Sequence, residues 1–233
     1  MYTFESRIRY SELDPSGKLS VPGVFNYFQD CSSFQSEELG VGVDYLDQKG
    51  KTWVLNAWQV VIRQLPLECD IVKVSTWASG FNKFHATRNF TLKTKNGEIL
   101  AYANSIWVYV DMKTGRPEIP SKEEVNIYQP EKPLEMDYQS RKIKLPKEWE
   151  KREPLRVQRD WIDSNHHVNN NEYIKIACNE ISVEEKYSQI RVEYKKQALE
   201  GDVIYPKTAK EDGRIVVALC DENGKPYAVV EYQ

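Results

Sequence analysis

Two short stretches decide how the chain is read: Arg9-Tyr-Ser-Glu-Leu-Asp14-Pro-Ser-Gly17 and Arg159-Asp-Trp-Ile-Asp163-Ser-Asn165. Each is a polar turn after a strand-like run, and each is followed by helical periodicity. Behind the first, Val24, Tyr27, Phe28, Cys31 and Phe34 recur at three- and four-residue steps and stop near Gly40. Behind the second, Ile174, Ala177, Cys178 and Ile181 do the same.

Strand patterns come next in both halves. Val72, Val74 and Thr76 alternate with polar neighbours, as do Phe90 and Leu92, and a long strand is predicted over 99–110. Strands predicted over 190–194, 202–205 and 215–218 are the counterparts. Leu67-Glu-Cys-Asp70 echoes Leu199-Glu-Gly-Asp202, and Lys95-Asn96-Gly97-Glu98 echoes Glu222-Asn223-Gly224-Lys225. Asn-Gly is a strong two-residue hairpin signal. The order turn, helix, antiparallel strands is therefore given twice.

A helix followed by a strongly curved antiparallel sheet is the plan of the hotdog fold. The expected class is thus α+β, a double hotdog: two tandem units, each a long helix wrapped by a curved antiparallel sheet, with the sheets paired. Six of the eleven prolines fall between 117 and 154, in a stretch dense in Lys and Glu. Proline fixes φ and removes a donor, so this stretch reads as a connector. The expected division is an N-terminal unit over 1–120, a connector over 121–153 and a C-terminal unit over 154–233.

Composition narrows the function classes. With 32 basic against 35 acidic residues the net charge is −3, which argues against nucleic acid as a partner. No apolar run is long enough for a membrane span, and Met1-Tyr-Thr-Phe-Glu-Ser-Arg7 lacks the pattern of a signal peptide. Cys31, Cys69, Cys178 and Cys220 form no CxxC pair and read as thiols in a reducing compartment. A cytoplasmic location is expected.

The densest polar cluster is Asp163-Ser-Asn165-His166-His167-Val168-Asn169-Asn170-Asn171, just ahead of the second helix. A helix N-terminus offers free N–H groups and the positive end of the dipole. Such a site can hold a carbonyl oxygen while negative charge builds on it, as in acyl transfer. Asp163 can accept a proton or attack directly, the Asn165 amide can donate to an oxyanion or orient water, and His167 can shuttle protons near neutral pH. The same residue types also favour turns and N-caps for purely local reasons, so a structural reading stands beside the catalytic one. Asp163, His166 and His167 are all metal-ligand types. Adjacent histidines on a turn rarely converge on one ion, however, and no further Cys/His cluster supplies ligands, so no metal is expected.

These residues carry a family resemblance. The Asp163-x-Asn165-x-His167-Val-Asn-Asn run resembles the catalytic signature of the acyl-carrier-protein thioesterases of bacteria and plants. Thr52-Trp-Val-Leu55, Thr76-Trp77, Arg88-Asn-Phe90, Trp107-Val108 with Asp111, and Gly115-Arg-Pro117 are similar to that family's landmarks. The resemblance runs from about Phe4 to the end. It implies a double hotdog that hydrolyses the thioester between a fatty acyl chain and the phosphopantetheine arm of acyl carrier protein, ending fatty acid biosynthesis, without a cofactor. Asp163, Asn165 and His167 match the family's catalytic residues. Plant members carry a catalytic Glu four residues after the Glu of a Glu-Tyr-basic-basic run, whereas Glu193-Tyr-Lys-Lys here leads to Gln197-Ala198. Gln197 can position water but cannot take its proton; it also reads as a plain, partly exposed strand residue.

Asp14, Ser16 and Lys18 stand where the second turn has Asp163, Asn165 and His167, so the first unit is expected to be catalytically silent. Its aromatic residues, with Phe25, Phe28, Trp53 and Trp58 as candidates, would enclose the acyl chain or simply pack its core. Acyl carrier proteins are acidic, as is this chain, so docking needs a local basic patch. Arg141-Lys-Ile-Lys-Leu-Pro-Lys147 is the densest basic run and reads equally as a solvated linker face. Monomer and homodimer both fit two fused units. An acyl-CoA thioesterase and a non-catalytic acyl-binding hotdog module remain the alternative functions.

Overall fold

In the computed structural model all residues except Val183 and Lys186 are described. The chain divides into two compact units, one of residues 1–56 and 60–138, the other of 57–59 and 139–233.

In the first unit β1 (Tyr2–Arg7) leads through a 3₁₀ turn (Tyr10–Glu12) to α1 (Val21–Glu38) and the short α2 (Val43–Lys49). Four strands follow: β2 (Lys51–Ile62), β3 (Ile71–Asn82), β4 (His85–Thr94) and β5 (Ile99–Asp111). The two-residue β6 (Arg116–Pro117) and α3 (Lys122–Ile127) come last. The sheet order is β1-β3-β4-β5-β2, with β6 against β5. Ser20 caps α1 by accepting the Gly23 N–H at 3.2 Å, Pro22 occupies its first turn, and Gly40 closes it at φ +72°, a left-handed position that suits glycine. The apolar stripe Val24, Phe28 and Cys31 is fully buried, as are Val72, Val74, Phe90 and Leu92 of the sheet. Phe28 meets Phe90 at a ring separation of 5.2 Å. Phe34, part of the expected helical stripe, is exposed instead and lies edge-on to Phe4 at 5.3 Å. Gln35 takes the inward place and accepts from the buried Arg88 guanidinium.

In the second unit β7 (Glu150–Lys151) and β8 (Leu155–Arg156) precede a 3₁₀ turn (Arg159–Trp161) and α4 (Asn170–Asn179). β9 (Gln189–Tyr194), β10 (Val203–Glu211), β11 (Arg214–Cys220) and β12 (Pro226–Tyr232) follow. Their order is β9-β12-β11-β10-β7, with β8 against β10, and these pairings are antiparallel. α4 has 10 residues against 18 in α1, so Ile181, expected on its apolar stripe, lies beyond its end. Ser182 accounts for part of the difference: its hydroxyl accepts the Glu184 N–H at 3.3 Å and its carbonyl the Glu185 N–H at 3.1 Å, a local turn that competes with helix. Strand alternation turns Val217, Leu219, Ala228 and Val230 toward α4 and Val216, Ala218, Cys220 and Val229 to the opposite face, where Ile143 and Trp149 cover them.

The proline-rich stretch forms a short helix and two pinned straps. Ser121 and Glu124 cap α3 reciprocally, a capping box. Beyond it the chain lies on the first sheet: Glu131 N–H donates to the Ala78 carbonyl at 2.9 Å, and Trp77 Nε1 donates to the Lys132 carbonyl at 3.0 Å. Asn89 Oδ1 accepts from Leu134 N–H at 3.0 Å and from the Tyr138 hydroxyl at 3.3 Å. The unit boundary falls directly after Tyr138. From Gln139 the chain lies on the sheet of the second unit, starting with the Gln139 N–H, which donates to Gln59 Oε1 at 2.9 Å.

Candidate active site

The site is built from the turn between the second 3₁₀ segment and α4. A bridge between Ile162 and Val168 closes the loop. Inside it Asp163 N–H donates to the His167 carbonyl at 2.9 Å, and His166 N–H donates back to the Asp163 carbonyl at 3.0 Å. Asp163 Oδ1 accepts the Asn165 N–H at 2.8 Å and the His167 N–H at a long 3.5 Å. His166 sits at φ +62°, a left-handed conformation that an L-residue adopts at a cost. Asn169 ends the loop and caps α4, accepting the Asn171 N–H at 2.9 Å. The loop therefore delivers its side chains to a helix N-terminus, where partial positive charge accumulates.

A second loop, after β9, is tied to the first. Val168 N–H donates to the Ala198 carbonyl at 2.9 Å, so Gln197 is tied to this turn through its neighbour. Ala198 N–H in turn donates to the Tyr173 hydroxyl of α4 at 2.9 Å. Tyr194, the last residue of β9, donates to the Asn170 carbonyl at 3.1 Å and holds the helix start. Burial pushes the Tyr173 and Tyr194 hydroxyls well above the usual phenol range, so both stay protonated. Tyr173 and Tyr194 pack edge-on at 6.2 Å, and Tyr173 stacks on Tyr227 at 6.5 Å. This tyrosine layer is the part of the site that sequence reasoning missed. Its signal was a tyrosine on the apolar stripe of α4, where an aromatic body needs a partner for its polar tip.

Asp163, Asn165 and His167 thus share one loop, and Gln197 lies on the loop bonded to it. Asp163 and His167 are half-buried, while Asn165, His166 and Gln197 are exposed. His167 Nδ1 is buried and has no hydrogen-bond partner among the described residues. An unsatisfied buried polar atom costs about 1–3 kcal/mol, and such atoms gather where a substrate or water completes them. The candidate acyl-pocket residues are dispersed. Phe25 and Phe28 are buried on α1. Trp53 lies against Tyr109 at 4.8 Å and Phe81 at 6.1 Å. Trp58 is buried in the three-residue segment that belongs to the second unit.

Residues 1–128 match the model of the acyl-ACP thioesterase N-terminal domain, and residues 144–229 match that of the acyl-ACP thioesterase C-terminal domain. The chain belongs to the acyl-ACP thioesterase family. A palmitoyl-acyl carrier protein thioesterase of Cuphea hookeriana, named as chloroplastic, is 27% identical over 223 residues, covering 88% of this chain and 53% of that protein. The chain spans about half the length of the curated relatives it matches. The crystal structure of an acyl-ACP thioesterase from Bacteroides thetaiotaomicron superposes with a TM-score of 0.90 at 20% identity, over 99% of this chain and 96% of that one. The 12:0-ACP thioesterase from Umbellularia californica gives 0.83 at 19% identity, over 100% and 96%. These likenesses show the double hotdog fold expected from the repeated turn, helix and strands. Among the described residues no helix is long and apolar enough to cross a membrane.

Proposed function

We propose that this acyl-ACP thioesterase family member hydrolyses the thioester between a fatty acyl chain and the phosphopantetheine arm of acyl carrier protein, releasing free acid and holo-carrier and ending fatty acid synthesis in the cytoplasm. The observation that carries this reading is the half-buried His167, with its orphaned Nδ1, on the loop that starts α4 between Asp163 and Gln197. With the proton on buried Nδ1, Nε2 presents its lone pair to water. Asn165 and Gln197, both exposed on adjoining loops, position that water and the acyl carbonyl. Water oxygen attacks the carbonyl carbon as Nε2 takes a proton, and the oxyanion forms at the positive end of α4. Collapse breaks the C–S bond, and the departing thiolate recovers the proton from His167. Thiolate is a good leaving group, so no strong acid is needed.

The first unit does no chemistry in this reading, and Phe25, Phe28, Trp53 and Trp58 are the candidates for enclosing the acyl chain. The test is release of free acid from carrier-protein esters of graded chain length by purified protein. His167→Ala should lower the rate by about a hundred- to ten-thousandfold, and an unchanged rate would remove His167 from the mechanism. Faster turnover of free CoA esters would point to an acyl-CoA thioesterase, and no turnover of either to a binding module. Appearance of ¹⁸O from labelled water in the Asp163 carboxylate after a single turnover would replace base catalysis by an acyl-anhydride route.

A further inference from the structure

The second strap is held by far more than a connector needs. Glu231, almost fully buried, bridges two buried guanidiniums, accepting from Arg191 Nη1 at 2.5 Å and from Arg214 Nη1 at 2.5 Å. Each guanidinium also reaches out to the strap. Arg191 Nη2 donates to the Ser140 carbonyl and, at 3.1 Å, to the Lys142 carbonyl, and Arg214 Nη1 donates to the Lys144 carbonyl at 2.8 Å. Buried Glu193 accepts the Ile143 N–H at 3.1 Å. Burying such an ion lattice carries a desolvation penalty that an apolar face would avoid.

The consequence is a fixed alternation of side chains. Ile143 and Pro146 point inward, and Lys142, Lys144 and Lys147 are exposed. Among the described residues no carboxylate pairs with these three lysines. The strap on the first sheet is the opposite in charge: 131–138 holds Glu131, Glu135 and Asp137 against Lys132, and it is pinned by Trp77, Asn89 and the pairing of Glu131 with the Met1 ammonium. The two straps share a role over their sheets, yet one of them presents a preorganised row of unpaired cations. The row lies on the face of the second sheet away from α4, and the chain links it to the site. Glu193, which holds Ile143, is five residues before Ala198, at most about 18 Å of extended chain, and Ala198 is bonded to the catalytic loop. Lys195 and Lys196 lie between them.

We infer that the 140–147 strap is the docking surface for the acidic carrier protein, holding the backbone of Lys142, Lys144 and Lys147 so that all three face outward. This rests on the carrier-bound substrate proposed above. Pinning the backbone removes the cost of ordering the strap itself on binding, and charge complementarity accelerates encounter even when the net charges repel.

The test is binding of holo-acyl carrier protein, which bears no thioester, measured by fluorescence anisotropy at low and at high salt. K142E/K144E should raise Kd about tenfold at low salt and flatten its salt dependence. K95E/K113E, with the same change in net charge at exposed positions of the first unit, should bind as the unaltered protein does. Equal weakening by both pairs would reduce the effect to net charge, and no effect of K142E/K144E, or no binding by the unaltered protein, would overturn the proposal. Circular dichroism of each variant excludes unfolding as the cause. Absence of ester hydrolysis alongside strap-dependent binding would sink the catalytic reading and leave the docking surface standing.

Discussion

The turn at 13–20 and the turn at 162–169 are the same piece of backbone used twice. Asp14 N–H donates to the Lys18 carbonyl at 2.8 Å as Asp163 N–H does to that of His167 at 2.9 Å, and Gly17 N–H returns to Asp14 as His166 N–H returns to Asp163, both at 3.0 Å. Asp14 Oδ1 collects the Ser16 N–H at 2.8 Å and the Lys18 N–H at 3.3 Å, as Asp163 Oδ1 does for Asn165 and His167. Leu19 N–H donates to the Pro66 carbonyl at 2.8 Å where Val168 N–H donates to that of Ala198 at 2.9 Å. The carboxylate therefore has a structural duty in both turns, and an Asp at this place is no mark of chemistry by itself. The turns part company where Ser16 and Lys18 face Asn165 and His167, and where Leu65 faces Gln197. The backbone of the turn thus forms with either set of side chains.

The largest expected effect tests that division directly. His167→Ala should lose the hundred- to ten-thousandfold in kcat given by removal of a general base, and Lys18→Ala, its counterpart, should leave free-acid release unchanged. Comparable losses from both would mean that the first turn takes part. The next effect separates the two duties of the aspartate. Asn keeps an Oδ1 acceptor, so Asp14→Asn and Asp163→Asn should each cost about 1 kcal/mol in thermal or chemical unfolding. Only Asp163→Asn should also lower kcat, by about a hundredfold, where the carboxylate itself takes the proton or the acyl group, as in the acyl-anhydride route. A purely structural Asp163 would show the stability loss and leave kcat in place.

How much of this was legible in the sequence follows from the range of the interactions. The twin turns, the two helices and the Asn-Gly hairpins rest on local rules, so residues 9–17 and 159–165 revealed the repeat. Asp163, Asn165 and His167 were visible as a group because one loop holds them. The end of α4 was misjudged because Ile181 keeps the helical period while Ser182 diverts the backbone. Tyr173 was missed because its role, bonding Ala198 N–H, depends on a residue 25 positions away. The straps within the expected connector have no local signature for the same reason: prolines report the absence of regular structure, but the guanidiniums that pin 140–144 lie far along the chain, at Arg191 and Arg214.

Gln197 gives a smaller and more informative effect. Its counterpart Leu65 cannot orient water, and the amide of Gln197 can orient it but not deprotonate it. Gln197→Leu should therefore lower kcat about tenfold while leaving KM within a factor of about two. Gln197→Glu adds a carboxylate that is charged above its own pKa of about 4.3, so its kcat should exceed that of Gln197→Leu at neutral pH and fall toward it as pH drops through that value. Equal rates for all three side chains would place Gln197 outside the site.

The least effect is expected at the second histidine, and it bears on why the loop has two. His166 occupies the left-handed position that Gly17 fills in the first turn, φ +62° against +76°, and its side chain is exposed. Its place in the loop is a matter of backbone conformation, whereas the mechanism proposed above gives His167 the chemistry. His166→Gly relieves a left-handed strain of about 1–2 kcal/mol but gives back about 0.5–1 kcal/mol in unfolded-chain entropy. Stability measured by denaturant unfolding should thus stay within about 1 kcal/mol, and kcat within about threefold. His166→Val should lose stability by about 1–2 kcal/mol, since a β-branched residue tolerates that φ poorly, and should lower kcat by disturbing the loop that carries its neighbour. A loss of rate in His166→Gly as large as that in His167→Ala would show that both imidazoles act on the substrate, and that the glycine of the first turn is part of what makes it silent.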